Sequence, residues 1–277
     1  GNIVFRGTDS SVITLGKTGT TGDDLNSYTG ITRVESGTIK FAADNAFGSS
    51  DVIVSDGATV NLAGYEQTVP TLNAQGDDAL VGDGKYVLGQ KEEGLGLESE
   101  ISGTNTDFTG TIQLTGGHRL TMNQADGLGN GSDVVFTNED DVLTLAGAEG
   151  DLLTTLQSSG AGSEGTLVLS DESNVNLVQD NSDYDGQFEL GAGTQLSANE
   201  TGLLDLGQLL GTAGLSVESD AQLHLTANDD LTLNNALDGE GDVYLTSNGS
   251  DAAFKFAAAD TASGFTGTYH LQGLNVH

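Results

Sequence analysis

Carboxylates are the most abundant reactive side chains in this sequence. The chain has 277 residues, with 41 Asp and Glu against 8 Lys and Arg, a formal net charge of -33, 4 His and no Cys. Two carboxylates about 5–9.5 Å apart can hydrolyse a glycosidic bond. Adjacent acidic pairs are too numerous here for any one to be specific, and neighbours on a strand point to opposite faces. The Asp-Asp pairs among them are Asp23-Asp24, Asp77-Asp78, Asp140-Asp141 and Asp229-Asp230.

The cations that a polysaccharide lyase needs beside its carboxylates are scarce. Residues 120–254 contain 24 Asp and Glu and no Lys or Arg, while Arg33, Lys40 and Arg119 are isolated. No Gly-Asp-Ser-Gly tetrapeptide occurs, and the Gly-x-Ser-x-Gly setting of a nucleophile elbow is absent around Ser10, Ser11, Ser55 and Ser170. We therefore predict no catalytic residues and no enzyme, and a polysaccharide-active enzyme is the least favoured reading.

The histidines and the absence of Cys limit the kinds of metal site that this chain can form. Without Cys there is no disulfide framework and no thiolate zinc site. The four histidines are His118, His224, His270 and His277, and no two have the spacing of metal ligands. His224 lies between two leucines, so on a half-buried strand it should point outward. We predict no cofactor and no specific metal site, with Ca²⁺ bound loosely by surface carboxylates as the remaining option.

The charge and hydropathy pattern exclude several partners. A charge of -33 disfavours nucleic acid and anionic membranes, since both attract Lys and Arg. The chain lacks a basic segment followed by an apolar core at its start, and it lacks a run of about 18 apolar residues. If the protein is secreted, we expect this chain to be a piece of a longer precursor.

Short segments with period-two alternation recur along the chain, bounded by Gly, Asp, Asn or Ser. Examples are Val52–Val54, Thr59–Leu62, Thr111–Leu114 and Thr166–Leu169. Alternation of this kind predicts short strands with one buried and one wet face. The exception is Leu203–Leu210, which is apolar at helical spacing but lies where other repeats have a loop and strand, so we predict a strand there.

An aromatic-x-Gly tripeptide repeats at long range. It starts at Tyr28, Phe108, Tyr184 and Phe265, with spacings of 80, 76 and 81 residues. The spacing predicts one domain over 1–277 with about three modules of roughly 80 residues, 28–107, 108–183 and 184–264, and a partial fourth from 265. In this repeat register Glu66, Glu149 and Asp229 are equivalent, and we expect them along one edge of the fold as candidate binding residues.

Strands this short satisfy their backbone hydrogen bonds most simply by stacking in successive turns of a parallel β-solenoid, about 4.8 Å apart. With roughly 20–22 residues per turn, the chain would form about thirteen turns and a rod of about 60 Å. Leu, Val, Ile and Phe would form inward columns, and Thr, Asn, Asp and Ser would form outward ones. The fold class predicted is all-β.

Residues 28–69 carry a family resemblance. The stretch contains Tyr28-Thr29-Gly30, Ser36-Gly37-Thr38-Ile39 and Gly64-Tyr65-Glu66-Gln67-Thr68-Val69, and it closely resembles the passenger-associated repeat of autotransporters, the type V secreted proteins of Gram-negative bacteria. Residues 108–147 resemble that repeat moderately, and 184–225 and 265–274 weakly. The resemblance implies a right-handed parallel β-helix, an outer-membrane translocator barrel in a C-terminal part outside this sequence, and display at the cell surface.

This resemblance implies a cell-surface adhesin that acts in self-association and biofilm formation. The expected partners are the same passenger on neighbouring cells, or a host glycan or matrix protein. The alternative is a structural stalk that presents a distal functional region. The least regular stretch is 70–107, and if any part protrudes to bind, we expect it there, with the candidate residues Asp77, Asp78, Lys85 and Lys91.

Overall fold

The protein is a parallel β-solenoid with almost no helix. The computed structural model describes residues 1–8, 10–16, 26, 29–89, 97–249, 252–256 and 264–275. Every strand pair among these residues is parallel, and the strands stack in about ten turns. The predicted all-β solenoid is confirmed.

The strands form four sheets on the sides of the coil. In the described residues the long sheet has 15 strands: β1 (Ile3–Arg6), β2 (Val12–Leu15), β3 (Ile31–Phe41), β4 (Asp51–Val54), β5 (Ala58–Asn61), β7 (Leu72–Ala74), β8 (Leu80–Val81), β10 (Glu98–Ile101), β12 (Arg119–Met122), β14 (Val142–Ala146), β17 (Thr166–Ser170), β19 (Gln187–Leu190), β21 (Gly214–Val217), β24 (Leu237–Gly239) and β27 (Gly264–Phe265).

The other three sheets lie on the remaining sides. The five-stranded sheet contains β6 (Glu66–Val69), β9 (Lys85–Leu88), β11 (Thr111–Leu114), β13 (Asp133–Phe136) and β16 (Thr155–Ser158). The six-stranded sheet contains β15 (Glu149–Leu152), β18 (Asn174–Leu177), β20 (Gln195–Asn199), β22 (Gln222–Ala227), β25 (Asp242–Ser247) and β28 (Thr268–Gln272). The three-stranded sheet contains β23 (Leu231–Leu233), β26 (Ala252–Phe256) and β29 (Leu274–Asn275).

The number of turns is smaller than the thirteen predicted, because turn length varies. Val52 pairs with Leu72, twenty residues later, but Ala74 pairs with Ile101, twenty-seven residues later. A strand needs only three or four residues to pair with its neighbours, so the corners absorb the extra chain without disturbing the stack. A uniform turn of 20–22 residues is therefore wrong for this chain.

Alternation along each strand sends apolar side chains inward in continuous columns. One buried column follows the register of the long sheet through Val34, Val54, Ala74, Ile101, Met122, Leu145, Leu169, Leu190 and Val217. Burying one Leu or Val side chain contributes about 1.5–3 kcal/mol. The core therefore stabilises the whole rod by repetition, with each turn packed on its two neighbours.

The segment Leu206–Leu210 is a helix, α1, so the strand predicted at 203–210 is wrong there. Asp205 caps the helix by accepting from the Gln208 backbone N–H at 2.9 Å, and the Gln208 side chain accepts from the Asp205 N–H at 3.2 Å. This capping box satisfies two backbone donors that a short helix would otherwise leave open. Leu206, Leu209 and Leu210 are buried against the core.

The aromatic-x-Gly tripeptides form a recurring corner. A Cβ atom added at Gly110, Gly186 or Gly267 would lie 2.4, 2.1 or 2.0 Å from a carbonyl oxygen of the preceding turn, and within 3.0 Å of the aromatic ring two residues earlier. Only glycine lets the ring fold over the backbone at such a place. The three corners lead into β11, β19 and β28, which belong to three different sheets. The motif thus marks a kind of corner, and the division into modules stays a prediction.

Candidate binding face

The outward face of the six-stranded sheet carries the most distinctive surface chemistry of the described chain. Its central column contains one residue from each strand, in register: Asp151, Asn176, Ser197, His224, Tyr244 and His270. A parallel column lies beside it, formed by Glu149, Asn174, Gln195, Gln222, Asp242 and Thr268. We call these two columns the ladder face.

Three rings of the ladder face stack along the rod. The ring centroids of His224 and Tyr244 are 4.3 Å apart with an interplanar angle of 12°, and those of Tyr244 and His270 are 4.3 Å apart at 10°. Strands in register about 4.8 Å apart make such stacking of successive rings possible. His224 is half-buried and points outward between buried Leu223 and Leu225, as its sequence position predicted.

Hydrogen bonds fix the polar edges of this stack. His270 Nε2 lies 2.9 Å from Asp242 Oδ1, with 43% and 38% of the two side chains exposed. His224 Nε2 lies 3.2 Å from Gln222 Oε1, and Asn176 donates to Asp151 at 3.0 Å. Burial lowers the pKa of His224, and the neighbouring His270 lowers it further. The ladder face therefore holds its donors and acceptors in one orientation.

The stacking decides which contacts the rings can make. Both faces of Tyr244 are covered by imidazoles, so only the edge of this ring, with its hydroxyl, is left to face solvent. Recognition of an apolar sugar face or a cation normally uses an open aromatic face. The ladder face suits hydrogen bonding and ion pairing with a flat polar surface.

The predicted edge of Glu66, Glu149 and Asp229 is wrong. Glu66 lies on the five-stranded sheet, Glu149 begins β15 of the six-stranded sheet, and Asp229 follows β22 in a loop. The repeat register fails because the aligned segments around Val60 and Leu143 belong to β5 and β14, which occupy different positions in the turn. A binding role for each of the three acids stays a prediction.

Two of the candidate binding residues in 70–107, Lys85 and Asp77, contact neighbouring turns of the solenoid. Lys85 Nζ lies 2.8 Å from a Glu66 carboxylate oxygen and 3.2 Å from Gln113 Oε1, which ties three turns of the five-stranded sheet together. Asp77 accepts two hydrogen bonds of 2.9 Å from Thr104, and these hold its pKa below the usual value. Asp78 is exposed at a left-handed corner with φ of 55°. Lys91 lies outside the described residues, and the binding role of all four stays a prediction.

The core contains a serine–histidine pair that no motif in the sequence indicated. Ser99 Oγ lies 2.8 Å from His118 Nε2 and accepts the Leu72 backbone N–H at 2.9 Å. Both side chains are buried. Asp141 accepts a hydrogen bond from the backbone N–H of His118, and it accepts none from the imidazole ring. The pair therefore connects turns of the core, and the ring lacks the orienting carboxylate of a catalytic triad.

Acid should weaken the fold through His118. Burial lowers the pKa of this imidazole from 6.5 to about 4, so the folded protein keeps it neutral while the unfolded chain protonates it. Stability is then full above about pH 6.5 and falls by about 3 kcal/mol as the pH drops to 4. We expect the loss in urea midpoint between pH 7 and 4.5 to be smaller for His118→Gln than for the wild type. An equal loss would contradict this assignment.

Two shallow grooves accompany these features. One of about 580 Å³ on the long sheet is lined by Arg119, Glu98 and Glu100, among others, and one of about 380 Å³ is lined by Glu149, Glu172 and Asp220. Across the described ranges, no three His, Asp or Glu side chains converge as ligands of one metal ion. Loose Ca²⁺ binding stays a prediction. None of the helices in the described part has the length and hydropathy to cross a membrane.

Comparison with known proteins gives one distant relative. The chain is 27% identical over 271 residues to the protein named "Uncharacterized lipoprotein YdeK" of Escherichia coli (strain K12). The match covers 91% of this chain and 20% of that protein, so the chain spans about a fifth of the relative's length. No family model matches the chain. No solved structure matches it.

Proposed function

We propose that this chain is part of a cell-surface passenger of the autotransporter type, and that it mediates adhesion by self-association. The observation that carries the proposal is the ladder face, an outward-facing array in which carboxylate, amide, hydroxyl and imidazole groups lie in register on six strands. The resemblance of residues 28–69 to passenger repeats supports the same reading. The relative in Escherichia coli is named a lipoprotein, which favours an envelope or surface location.

The physical basis of adhesion would be many weak contacts. Each exposed polar pair contributes about 0–1 kcal/mol, so one rod would hold another only loosely. Cells that display many copies would add these contacts together by avidity. Rods of charge -33 repel one another at range, but the Debye length of about 8 Å at physiological salt allows close approach. The chain acts without catalysis in this proposal.

The direct test is clumping of beads coated with the purified chain, beside uncoated beads and beads coated with an unrelated acidic protein. Like-with-like clumping is the expected result, and it places self-association within these 277 residues. Dispersed coated beads under all salt and pH conditions would overturn self-association. Glycan and matrix-protein arrays run in parallel would then identify a heterologous partner.

Calcium should increase the clumping. Carboxylates crowd the surface of residues 120–254, where no Lys or Arg offsets them, and Ca²⁺ would bridge and neutralise them. We expect clumping to rise with added Ca²⁺ and to fall again with a chelator. The control is Mg²⁺ at equal ionic strength, which separates bridging from screening. Equal clumping in chelator at neutral pH would contradict this prediction.

A structural stalk is the second candidate. The observation in its favour is the continuous inward column, which extends without interruption from β3 to β21 of the long sheet. A stalk needs a stiff core and a soluble surface, and it needs no ligand. On cells that display the full-length protein, a stalk would retain adhesion when the ladder face is substituted. Adhesion through the ladder face predicts that the same substitutions abolish clumping.

A further inference from the structure

The ladder face is complementary to itself. We propose, building on the proposed self-association, that two copies of this chain pair antiparallel through their ladder faces, and that mild acid promotes the pairing by making His270 of one copy a cation opposite Asp151 of the other.

The order of the strands permits a symmetric contact between two ladder faces. The six-stranded sheet runs β15-β18-β20-β22-β25-β28, so a two-fold axis along the strand direction between β20 and β22 exchanges the first strand with the last. Each residue of the central column then faces a residue of the same column in the other copy. Asp151 faces His270, Asn176 faces Tyr244, and Ser197 faces His224. Such an isologous contact closes after two copies.

The same two-fold axis also pairs the residues of the second column. Glu149 faces Thr268, Asn174 faces Asp242, and Gln195 faces Gln222. No carboxylate of either column meets another carboxylate, although the chain has 41 of them. A parallel arrangement with the strands in register would place Asp151 over Asp151. The reversed arrangement is therefore the one that the charges permit.

The charges at the two ends of the face are opposite only when the histidines are protonated. Glu149 and Asp151 form an acidic end on β15, while His224 and His270 lie toward the other end. The groups that face the two imidazoles are Tyr244 and Asp242 from β25 and Ser197 and Gln195 from β20, with His224 and His270 flanking the same tyrosine. In residues 120–249 no Lys or Arg supplies a cation at any pH.

The pH dependence has a definite sign. A carboxylate of the second copy stabilises an imidazolium, so protonation of the histidine and pairing favour each other, and pairing strengthens as the pH falls. His270 Nε2 already contacts Asp242, which leaves Nδ1 as the donor toward the other copy. Pairing is expected to be stronger in mild acid than at neutral pH.

The size of the face predicts a weak contact. Six strands about 4.8 Å apart and four to six residues wide cover roughly 400 Å² per copy. Stable complexes usually bury about 800 Å² per partner. A pair of rods would therefore be a weak dimer, populated in solution at high chain concentration and held more firmly between arrays on facing cells. The covered faces of Tyr244 argue against a stacked sugar as the occupant, which the experiment includes as an outcome.

The absence of Cys makes the geometry directly testable. We would mix Asp151→Cys and His270→Cys chains at about pH 6 with a short bis-maleimide and resolve the products by mass. In the mixed pair one Asp151–His270 contact remains intact. A cross-linked dimer is expected from the mixture and not from either variant alone, because like positions lie at opposite ends of the pair. Equal cross-linking with Thr144→Cys, on the long sheet, would overturn the proposal.

Sedimentation of the unmodified chain tests the pH dependence. We expect dimers at about pH 5.5 and monomers at about pH 7.5. Asp151→Asn and the double variant His224→Gln/His270→Gln should each weaken the dimer about tenfold, since two equivalent pairs are lost. Glu189→Gln, which removes an exposed carboxylate of the long sheet, is the matched control and should dimerise normally.

The outcomes separate this inference from the proposed function. If beads clump but the variants and the pH have no effect, another surface mediates self-association and the ladder-face pairing is wrong. Chains that stay monomeric and beads that stay dispersed at every pH would overturn both proposals. A monomeric chain whose ladder face binds a glycan on an array would replace the second copy as the occupant.

Discussion

Replacing Asn181 by Leu should destabilise the middle of the rod by about 3–5 kcal/mol. Asn181 is buried, accepts the Leu156 backbone N–H at 2.8 Å and donates to the Leu209 carbonyl at 2.9 Å. Leucine has a similar size but leaves both backbone groups buried without a partner, at about 1–3 kcal/mol each. Because Asn181 joins the turn of β16 to that of α1, we expect the amide of Leu156 to exchange its hydrogen much faster.

A matched control separates this effect from the general cost of Asn to Leu. Asn248→Leu makes the same chemical change at an exposed position and should stay within about 0.5 kcal/mol of the wild type. The measurement is the urea midpoint together with hydrogen exchange, since a rod of stacked turns can unfold in parts. Wild-type exchange at Leu156 in the Asn181 variant would show that the side chain does not support this corner.

Gly186→Ala should cost at least about 3 kcal/mol, the upper part of the range for overpacked interiors. The added Cβ atom would lie 2.1 Å from the Gly165 carbonyl oxygen, 2.5 Å from that of Glu164 and 2.6 Å from the ring of Tyr184. Two of these atoms are backbone and cannot move without separating the turns. Tyr184 would also lose the placement in which its hydroxyl donates to Gly165 and accepts from Leu167, at 2.8 and 3.2 Å.

The control for this substitution is Gly202→Ala, where an added Cβ atom meets nothing within 4 Å. Alanine there should be neutral or slightly stabilising, because it reduces the entropy of the unfolded chain. The check is the urea midpoint and the near-ultraviolet signal of Tyr184. If Gly186→Ala unfolds at the wild-type midpoint, the aromatic-x-Gly corner is less tightly packed than the structure indicates.

Asn181 and Gly186 both lie at corners of the solenoid, and the register of the ladder face also depends on how the corners pack. His224, Tyr244 and His270 stack only if each turn delivers its strand in register with the previous one. The turn from His224 to Tyr244 has twenty residues, and the turn from Tyr244 to His270 has twenty-six. The corner packing therefore sets the geometry of the binding face, several residues away from the face itself.

The sequence predicted the strands and their orientation well, because both depend on local alternation. His224 could be assigned to the outside from Leu223 and Leu225 alone. The helix could also have been found: Asp205 and Gln208 have the spacing of a capping box just before apolar residues. The strand predicted at 203–210 rested on the long-range repeat. The local capping signal indicates the secondary structure there correctly.

Contacts between turns could not be read from the sequence. The repeat register placed Glu66, Glu149 and Asp229 on one edge, but the turns vary from nineteen to thirty residues and the three acids lie on different sides. Lys85 and Glu66, which do form an ion pair, are nineteen residues apart and are not equivalent positions of the repeat. No period in the chain signals that pairing.

The sequence alone determined an acidic, cysteine-free chain of short strands with one inward and one outward side, since charge and period-two alternation need no knowledge of distant residues. Only the tertiary structure decided which outward residues become neighbours. Each turn adds its own corner length, and hydrogen bonding between strands, with the buried corner side chains, then selects the register. The imidazole and carboxylate ends of the ladder face are a product of that register.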